Sequence, residues 1–239
     1  MTRGQVLGRV GILPAGFVRL AAGWKPTLPC VLLAVASYAE PLTPILNEPG
    51  KIIMEERYDD ESPELAAEIS DRRKGKWLIK TGNVSYEDKA LRLKPAHPSK
   101  AEDKSKTPTH MRAFIREAPQ DNVISFRFKL VGTEGERKPP RFFYENGHYK
   151  IRITGGVDGV RLVIGKEAKA ESDFKIEADK WYETMLEVRG DEAVARFADG
   201  PTLKAKDPKI KNEERKGVQI WSLCPGGMVI DDVVIREAK

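Results

Sequence analysis

Residues Trp181 to Gly200 read WYETMLEVRGDEAVARFADG, two runs in which apolar side chains recur at every second position. That period belongs to a β-strand with one face in a core. The runs meet at Gly190-Asp191 and end at Asp199-Gly200, so the segment predicts a hairpin, with glycine supplying the backbone freedom of the reversal. The same pattern recurs along the chain. Strands are predicted at Lys51 to Glu56, Trp77 to Lys80, Val84 to Tyr86, Ala90 to Leu93, His110 to Arg116 and Val123 to Val131. More follow at Phe142 to Tyr144, His148 to Thr154, Gly159 to Ile164, Phe174 to Ile176, Thr202 to Ala205, Val218 to Leu223 and Met228 to Arg236.

This many short strands, with a turn every ten or so residues, predicts an all-β fold: an antiparallel β-sandwich of the jelly-roll kind with at most one short helix. The helix is expected from Ser62, as N-cap before Pro63, to Glu68. Lys94 to Pro108 is polar and rich in Lys, Ser and Pro, with no apolar period to bury, and predicts a surface loop.

Charge changes the picture only at the N-terminus. The whole chain has 41 basic and 36 acidic residues, a formal +5. Arg3, Arg9, Arg19 and Lys25 fall in residues 1–39, which hold no acid, so the rest is close to neutral and gives no reason to expect a nucleic-acid partner. An apolar run from Leu28 through Ala36 precedes Ser37-Tyr38-Ala39, the pattern of an export signal cut between Ala39 and Glu40. The run is shorter than the roughly 20 residues of a spanning helix, so no membrane span is expected. The expected organisation is a signal peptide at 1–39, a Pro-rich linker at 40–50 and one sandwich domain at 51–239, exported to the periplasm, the cell surface or the medium. Only Cys224 remains after such a cut, so no internal disulfide is expected.

Alternation also sorts side chains to faces. With Ile124, Phe126, Phe128 and Leu130 inward, Ser125, Arg127 and Lys129 point away from the core. By the same rule His148, Lys150 and Arg152 oppose Tyr149, Ile151 and Ile153; Arg112 opposes Met111 and Ala113; and Gln219 and Trp221 oppose Val218 and Ile220. If these strands share one sheet, Trp221 stands among Arg112, Arg127, His148, Lys150 and Arg152, with Gln219 beside it. An aromatic ring among cations suits a sugar bearing carboxylate or sulfate, while a solvated sheet face explains the same residues without a ligand. Asp59, Asp60 and Glu61 near the first strand and Asp231 and Asp232 in the last could share a structural Ca²⁺, with Asp60 and Asp232 as the chosen pair; no other cofactor is expected. Glu183 and Glu187 share a strand face, the parity a pair of hydrolytic carboxylates needs, though charges on the solvent side of a strand explain them more simply.

Met228-Val229-Ile230-Asp231-Asp232-Val233-Val234-Ile235 resembles the closing strand of laminin-G-like and concanavalin A-like lectin/glucanase domains. Upstream, Trp77 to Leu93, Val123 to Leu130, the paired Tyr149 to Thr154 and Gly159 to Ile164, and the Trp181 hairpin resemble secreted bacterial proteins near the 3-keto-disaccharide hydrolases and family 16 glycoside hydrolase-like domains. The resemblance implies two antiparallel sheets and glycan binding on one of them. The Glu-x-Asp-x-Glu string of family 16 glucanases is missing from the chain, so catalysis is not implied with it. Three readings stand: a non-catalytic module for oligo- or polysaccharide, anionic ones included; a glycoside hydrolase or lyase; and a structural envelope protein.

Overall fold

A computed structural model describes residues 42–46, 48–58, 73–74, 77–81, 83–94, 111–115, 118–132, 140–147, 150–212 and 217–239. The chain divides into Met1–Tyr38 and Ala39–Lys239, and every described residue belongs to the second unit. The expected signal segment, the Ser62 helix, Asp60, His148 and nearly all of the Lys94 to Pro108 loop lie outside the described residues.

Among the described residues sixteen strands form two antiparallel sheets. The strands are β1 Pro49–Glu56, β2 Arg73–Lys74, β3 Trp77–Thr81, β4 Asn83–Glu87, β5 Ala90–Lys94, β6 Met111–Ile115, β7 Asn122–Leu130 and β8 Arg141–Asn146. They continue as β9 Ile151–Gly156, β10 Gly159–Ile164, β11 Glu167–Ser172, β12 Trp181–Arg189, β13 Glu192–Phe197, β14 Thr202–Lys206, β15 Val218–Leu223 and β16 Met228–Ala238. The first sheet runs β14-β13-β12-β7-β16-β5-β4, with β1 also on β16; the second runs β11-β10-β9-β8-β15-β6-β3-β2. First and last strands are neighbours, as expected.

The core lies between the sheets, built by the predicted alternation. From the first sheet come Ile124, Phe126, Phe128 and Leu130 of β7 with Leu186, Val188, Ala193 and Ala195; from the second come Phe142, Tyr144, Ile151, Ile153, Val160, Leu162, Val218 and Ile220. Phe128 sits at its centre, with ring centroids 4.3 Å from Phe142 and 5.7 Å from both Phe126 and Tyr182. Such offset aromatic contacts add to the area each ring buries. Burial of the Tyr144 hydroxyl in this core pushes its pKa well above the usual phenol range.

Three elements depart from the pattern. Phe174 to Ile176 is not a strand but a connector: Ile176 is buried, its amide donates to Gly156 O at 2.9 Å, and Tyr182 Oη donates to Lys175 O at 3.4 Å. The strand at this edge is β11, EAKAES, which among the described residues pairs only with β10. The helix that forms, α1 at Pro208–Asn212, follows an N-cap: Asp207 Oδ1 accepts the Lys209 amide at 2.9 Å, and Pro208 takes the first helical position.

The C-terminal Asp231-Asp232 is where β16 slips register against β7, between Asp231 and Val234. This bulge places Ile230 and then Val233 in the core, three residues apart where strict alternation allows two, and Asp232 has φ +48°. Among the described residues no helix is long and apolar enough to cross a membrane.

Candidate functional site

The outer face of the second sheet gathers most of the side chains singled out in the sequence. At one level across β10, β9, β8, β15 and β6 stand Arg161, Thr154, Phe143, Trp221 and Arg112, each paired in register with the next. The adjoining level holds Val163, Arg152, Glu145, Gln219 and Phe114. Thus Arg152, Gln219 and Trp221 share one sheet and one face, and Arg112 is paired in register with Trp221 in the same sheet. Lys150 lies beside it in the turn before β9, its carbonyl accepting the Gly165 amide at 2.7 Å.

Arg127 does not join them. It belongs to β7 in the first sheet, so the single cationic face that includes it is corrected: period two sets the face of a strand but not the sheet it enters. Its neighbours there are Asp232 at 3.2 Å and Asp231 at 3.6 Å. Asp232, the described half of the expected calcium pair, is therefore an ion-pair partner of Arg127. Among the described residues no three His, Cys, Asp or Glu side chains gather as a metal site. Burial raises the Asp231 carboxyl above its ordinary range.

The centre of the second sheet's outer face is shielded from water, although it faces away from the core. Trp221 is 7% exposed and stacks on Phe143 with centroids 3.7 Å apart and planes at 7°. Two rings upright on neighbouring strands leave Trp221 one flank already occupied, so the open ring expected from sequence is replaced by an aromatic pair. Beside it Glu145 is fully buried; its Oε2 accepts from Gln219 Nε2, and its Oε1 lies 3.7 Å from Arg152 Nη1. A buried carboxylate requires such partners, since its desolvation is otherwise several kcal/mol. The other arginines described on this side are also matched: Arg161 with Glu171 at 2.9 Å and Arg141 with Asp158 at 2.6 Å.

Glu145 and Phe143 were not singled out in the sequence. The run Arg-Phe-Phe-Tyr-Glu-Asn gives Phe142 and Tyr144 to the core and leaves Phe143 and Glu145 on the other face, which becomes visible only once β15 is known to lie alongside.

The outer face of the first sheet carries a different arrangement. Glu183 and Glu187 do share a face there, but Glu187 is fully buried and not the solvent-facing charge expected. It accepts the Ile45 amide at 2.9 and 3.0 Å and the Leu46 amide at 2.8 Å, while Glu183 accepts the Leu42 amide at 3.3 Å. Arg189 Nη1 donates to Leu46 O at 3.1 Å and Arg196 Nη1 donates to Thr43 O. The linker residues Leu42–Leu46 thus form a strap bound through its backbone. Cys224 is buried just after β15 and its thiol donates to Val131 O at 2.9 Å.

No protein-family model matches the chain, and no curated protein matches it in sequence. Solved structures do share its architecture. A Bacillus subtilis protein of unknown function with a galectin-like fold superposes with a TM-score of 0.59 at 11% identity, over 80% of this chain and 98% of its own. The non-specific endo-β-1,3(4)-glucanase SCLam of family GH16 gives 0.53 at 11%, over 81% and 95%. The fold is a concanavalin A-like sandwich. The metal-free carbohydrate recognition domain of Emp46p shares it, with a TM-score of 0.51 at 12% identity over 73% of this chain and 94% of that domain. At these identities the concanavalin A-like sandwich is established as architecture, and any activity must be argued from the faces just described.

Proposed function

We propose that this concanavalin A-like sandwich is an exported carbohydrate-binding module, non-catalytic, with its saccharide site on the outer face of the second sheet. The observation that carries the reading is the buried Glu145–Gln219–Arg152 cluster beside the Phe143–Trp221 pair, on the face turned away from the core. Buried and fixed, the Glu145–Gln219 pair and the Phe143–Trp221 stack form a rigid base for this face, and the half-buried Arg152 and Thr154 at its border offer the polar groups that sugar hydroxyls would meet. Carbohydrate recognition by the Emp46p domain and glucan cleavage by SCLam, on the same fold, support the ligand class.

The charges argue for a neutral glycan on this face. Arg141, Arg152 and Arg161 each have an acidic partner, which leaves these three cations neutralised within the face. Hydrolysis by the two-carboxylate route needs a pair about 5–10 Å apart. Among the described residues the centre of this face holds Glu145 alone, with Asp158 and Glu171 engaged by Arg141 and Arg161.

The test is retention of the protein on immobilised neutral glycans, with product analysis of the same incubations. Wild type is expected to be retained without turnover; Gln219→Ala and Trp221→Ala are expected to lose at least tenfold in affinity. Retention unchanged in both variants refutes the placement, and reducing-end release by wild type refutes the non-catalytic assignment.

A further inference from the structure

A groove of about 580 Å³ crosses the outer face of the first sheet, on the side of the sandwich opposite the Glu145 cluster. Its floor is apolar, from Val123 of β7, Met185 of β12 and Val234 of β16. Arg57, Arg127 and Arg236 line it, against the acids Glu183 and Asp232. One wall is the strap, through Leu42, Thr43 and Pro44.

The charges of this groove are not equally committed. Arg127 is engaged by Asp231 and Asp232, and Arg57, 64% exposed along its side chain, lies 2.7 Å from Glu55. Glu183 is committed to the strap through the Leu42 amide. Arg236, in register with Val123, makes no ion pair among the described residues. At the other end of β7, Lys129 is in register with Trp181 of β12, which lies one pleat beyond Glu183. Trp181 is 37% exposed, with Arg127 Cζ 5.0 Å and Lys129 Nζ 5.2 Å from its ring centroid.

Here the aromatic-among-cations constellation expected around Trp221 exists around Trp181, exposed to solvent. From Val123 to Lys129 is six residues of strand, roughly 20 Å at the usual rise per residue. Cations therefore stand at both ends and in the middle of a track with an apolar floor. A single sugar cannot span it.

We propose that this groove is a second saccharide site, distinct from the Glu145 face, and that its ligand is an acidic oligosaccharide. One ring would pack against Trp181 and its carboxylate or sulfate groups would meet the uncommitted cations at the two ends, Lys129 and Arg236. Because Thr43 and Pro44 form a wall, strap docking and ligand binding are linked: a ligand that touches the docked strap holds it down, and by reciprocity a released strap binds that ligand less tightly. Glu187 governs the strap without lining the groove, so it reports on this linkage separately from direct contact. The inference rests on the carbohydrate reading of the fold but uses another face.

The full chain is titrated with oligogalacturonate, with a heparin-derived oligosaccharide and with a neutral gluco-oligosaccharide, while amide exchange is followed at Ile45 and Leu46. Either acidic oligomer is expected to bind with an affinity that falls as salt is raised and to slow exchange at both amides; which one binds better separates uronate from sulfate as the anion. Trp181→Ala and Arg236→Ala, both at the surface, are expected to weaken that binding at least tenfold with an unchanged melting temperature, whereas Gln219→Ala leaves it intact. Glu187→Gln is expected to speed exchange at both amides and to weaken acidic binding several-fold. Acidic binding indifferent to Trp181 and Arg236, or neutral retention at the Glu145 face with no acidic binding at all, overturns the second site. Loss of neutral retention with acidic binding intact instead refutes the first site and spares this one. Binding without added protection at Ile45 and Leu46 overturns the linkage.

Discussion

Replacing Glu145 by alanine tests the cluster on which the proposed saccharide site depends. The carboxylate is fully buried, accepts from Gln219 and lies 3.7 Å from Arg152, whose side chain keeps 21% of its exposure. Deleting one partner of a fully buried pair costs about 3–5 kcal/mol, because the other charge stays desolvated. Arg152 recovers part of that through water, which lowers the charge contribution to about 2 kcal/mol, and Gln219 loses an acceptor at a cost of about 1 kcal/mol. The total is about 3 kcal/mol, which for a domain of this size lowers the melting temperature by roughly 6–12 °C.

Glu145→Gln retains an oxygen for the Gln219 amide and the same shape, and is expected to cost about 1–2 kcal/mol. Urea unfolding of wild type and both variants measures the difference directly. In a double-mutant cycle, Glu145→Ala with Arg152→Ala is expected to lose clearly less than the sum of the singles, since the second deletion removes the charge that the first stranded. If Glu145→Ala unfolds within about 0.5 kcal/mol of wild type, the range of an ordinary surface substitution, the carboxylate is not the buried anchor of this face and the site argument falls with it.

Phe128→Ala should destabilise by about 3–5 kcal/mol in the same assay, because it empties the centre of the aromatic cluster. Gly227 has φ +88°, and an added Cβ would lie 2.2 Å from Leu93 O, so Gly227→Ala is expected to cost at least about 2 kcal/mol in urea unfolding and to speed amide exchange along β5. Hydrogen bonds and charge from Lys94 and Arg92 hold the Glu87 carboxyl at about 2 against an ordinary 4.5. A depressed folded value means the contribution is present above about pH 4.5 and lost as pH falls towards 2, and with a third of the side chain exposed it is worth less than about 1 kcal/mol. Glu87→Gln is accordingly expected to flatten that part of the pH–stability curve and to lower stability at pH 7 by less than about 1 kcal/mol.

Much of the sandwich was legible because the period of two is written into the strands themselves. Ile124, Phe126, Phe128 and Leu130 alternate with Ser125, Arg127 and Lys129 in the sequence as they do in space. Edge strand β11 escaped notice since EAKAES has no apolar face to bury, and Phe-Lys-Ile at 174–176 imitated a strand by sending Ile176 into the core from a connector. The candidate site was only half readable. Alternation placed Gln219 and Trp221 on the outer face correctly, but which strands lie beside them is decided by pairings across more than seventy residues, which no local pattern encodes. The same blindness put Arg127 with Trp221 and hid Trp181, the ring it does accompany. It also concealed Glu187, whose burial comes from a strap some 140 residues upstream.

The positions of the last two strands have a kinetic meaning. β15 is inserted between β8 and β6, and β16 pairs with β7, β5 and β1, so both sheets are held together by strands that follow all the other described ones in sequence. Until residues 218–238 are available, each sheet is in two pieces with unpaired backbone along the break, and neither side of the core can close. A nascent chain that stops short of residue 218 therefore has no closed sandwich to adopt. Closure of the sandwich waits until residues 218–238 have emerged, and loss of even the β16 strand is expected to be a lesion to the whole domain rather than to its edge.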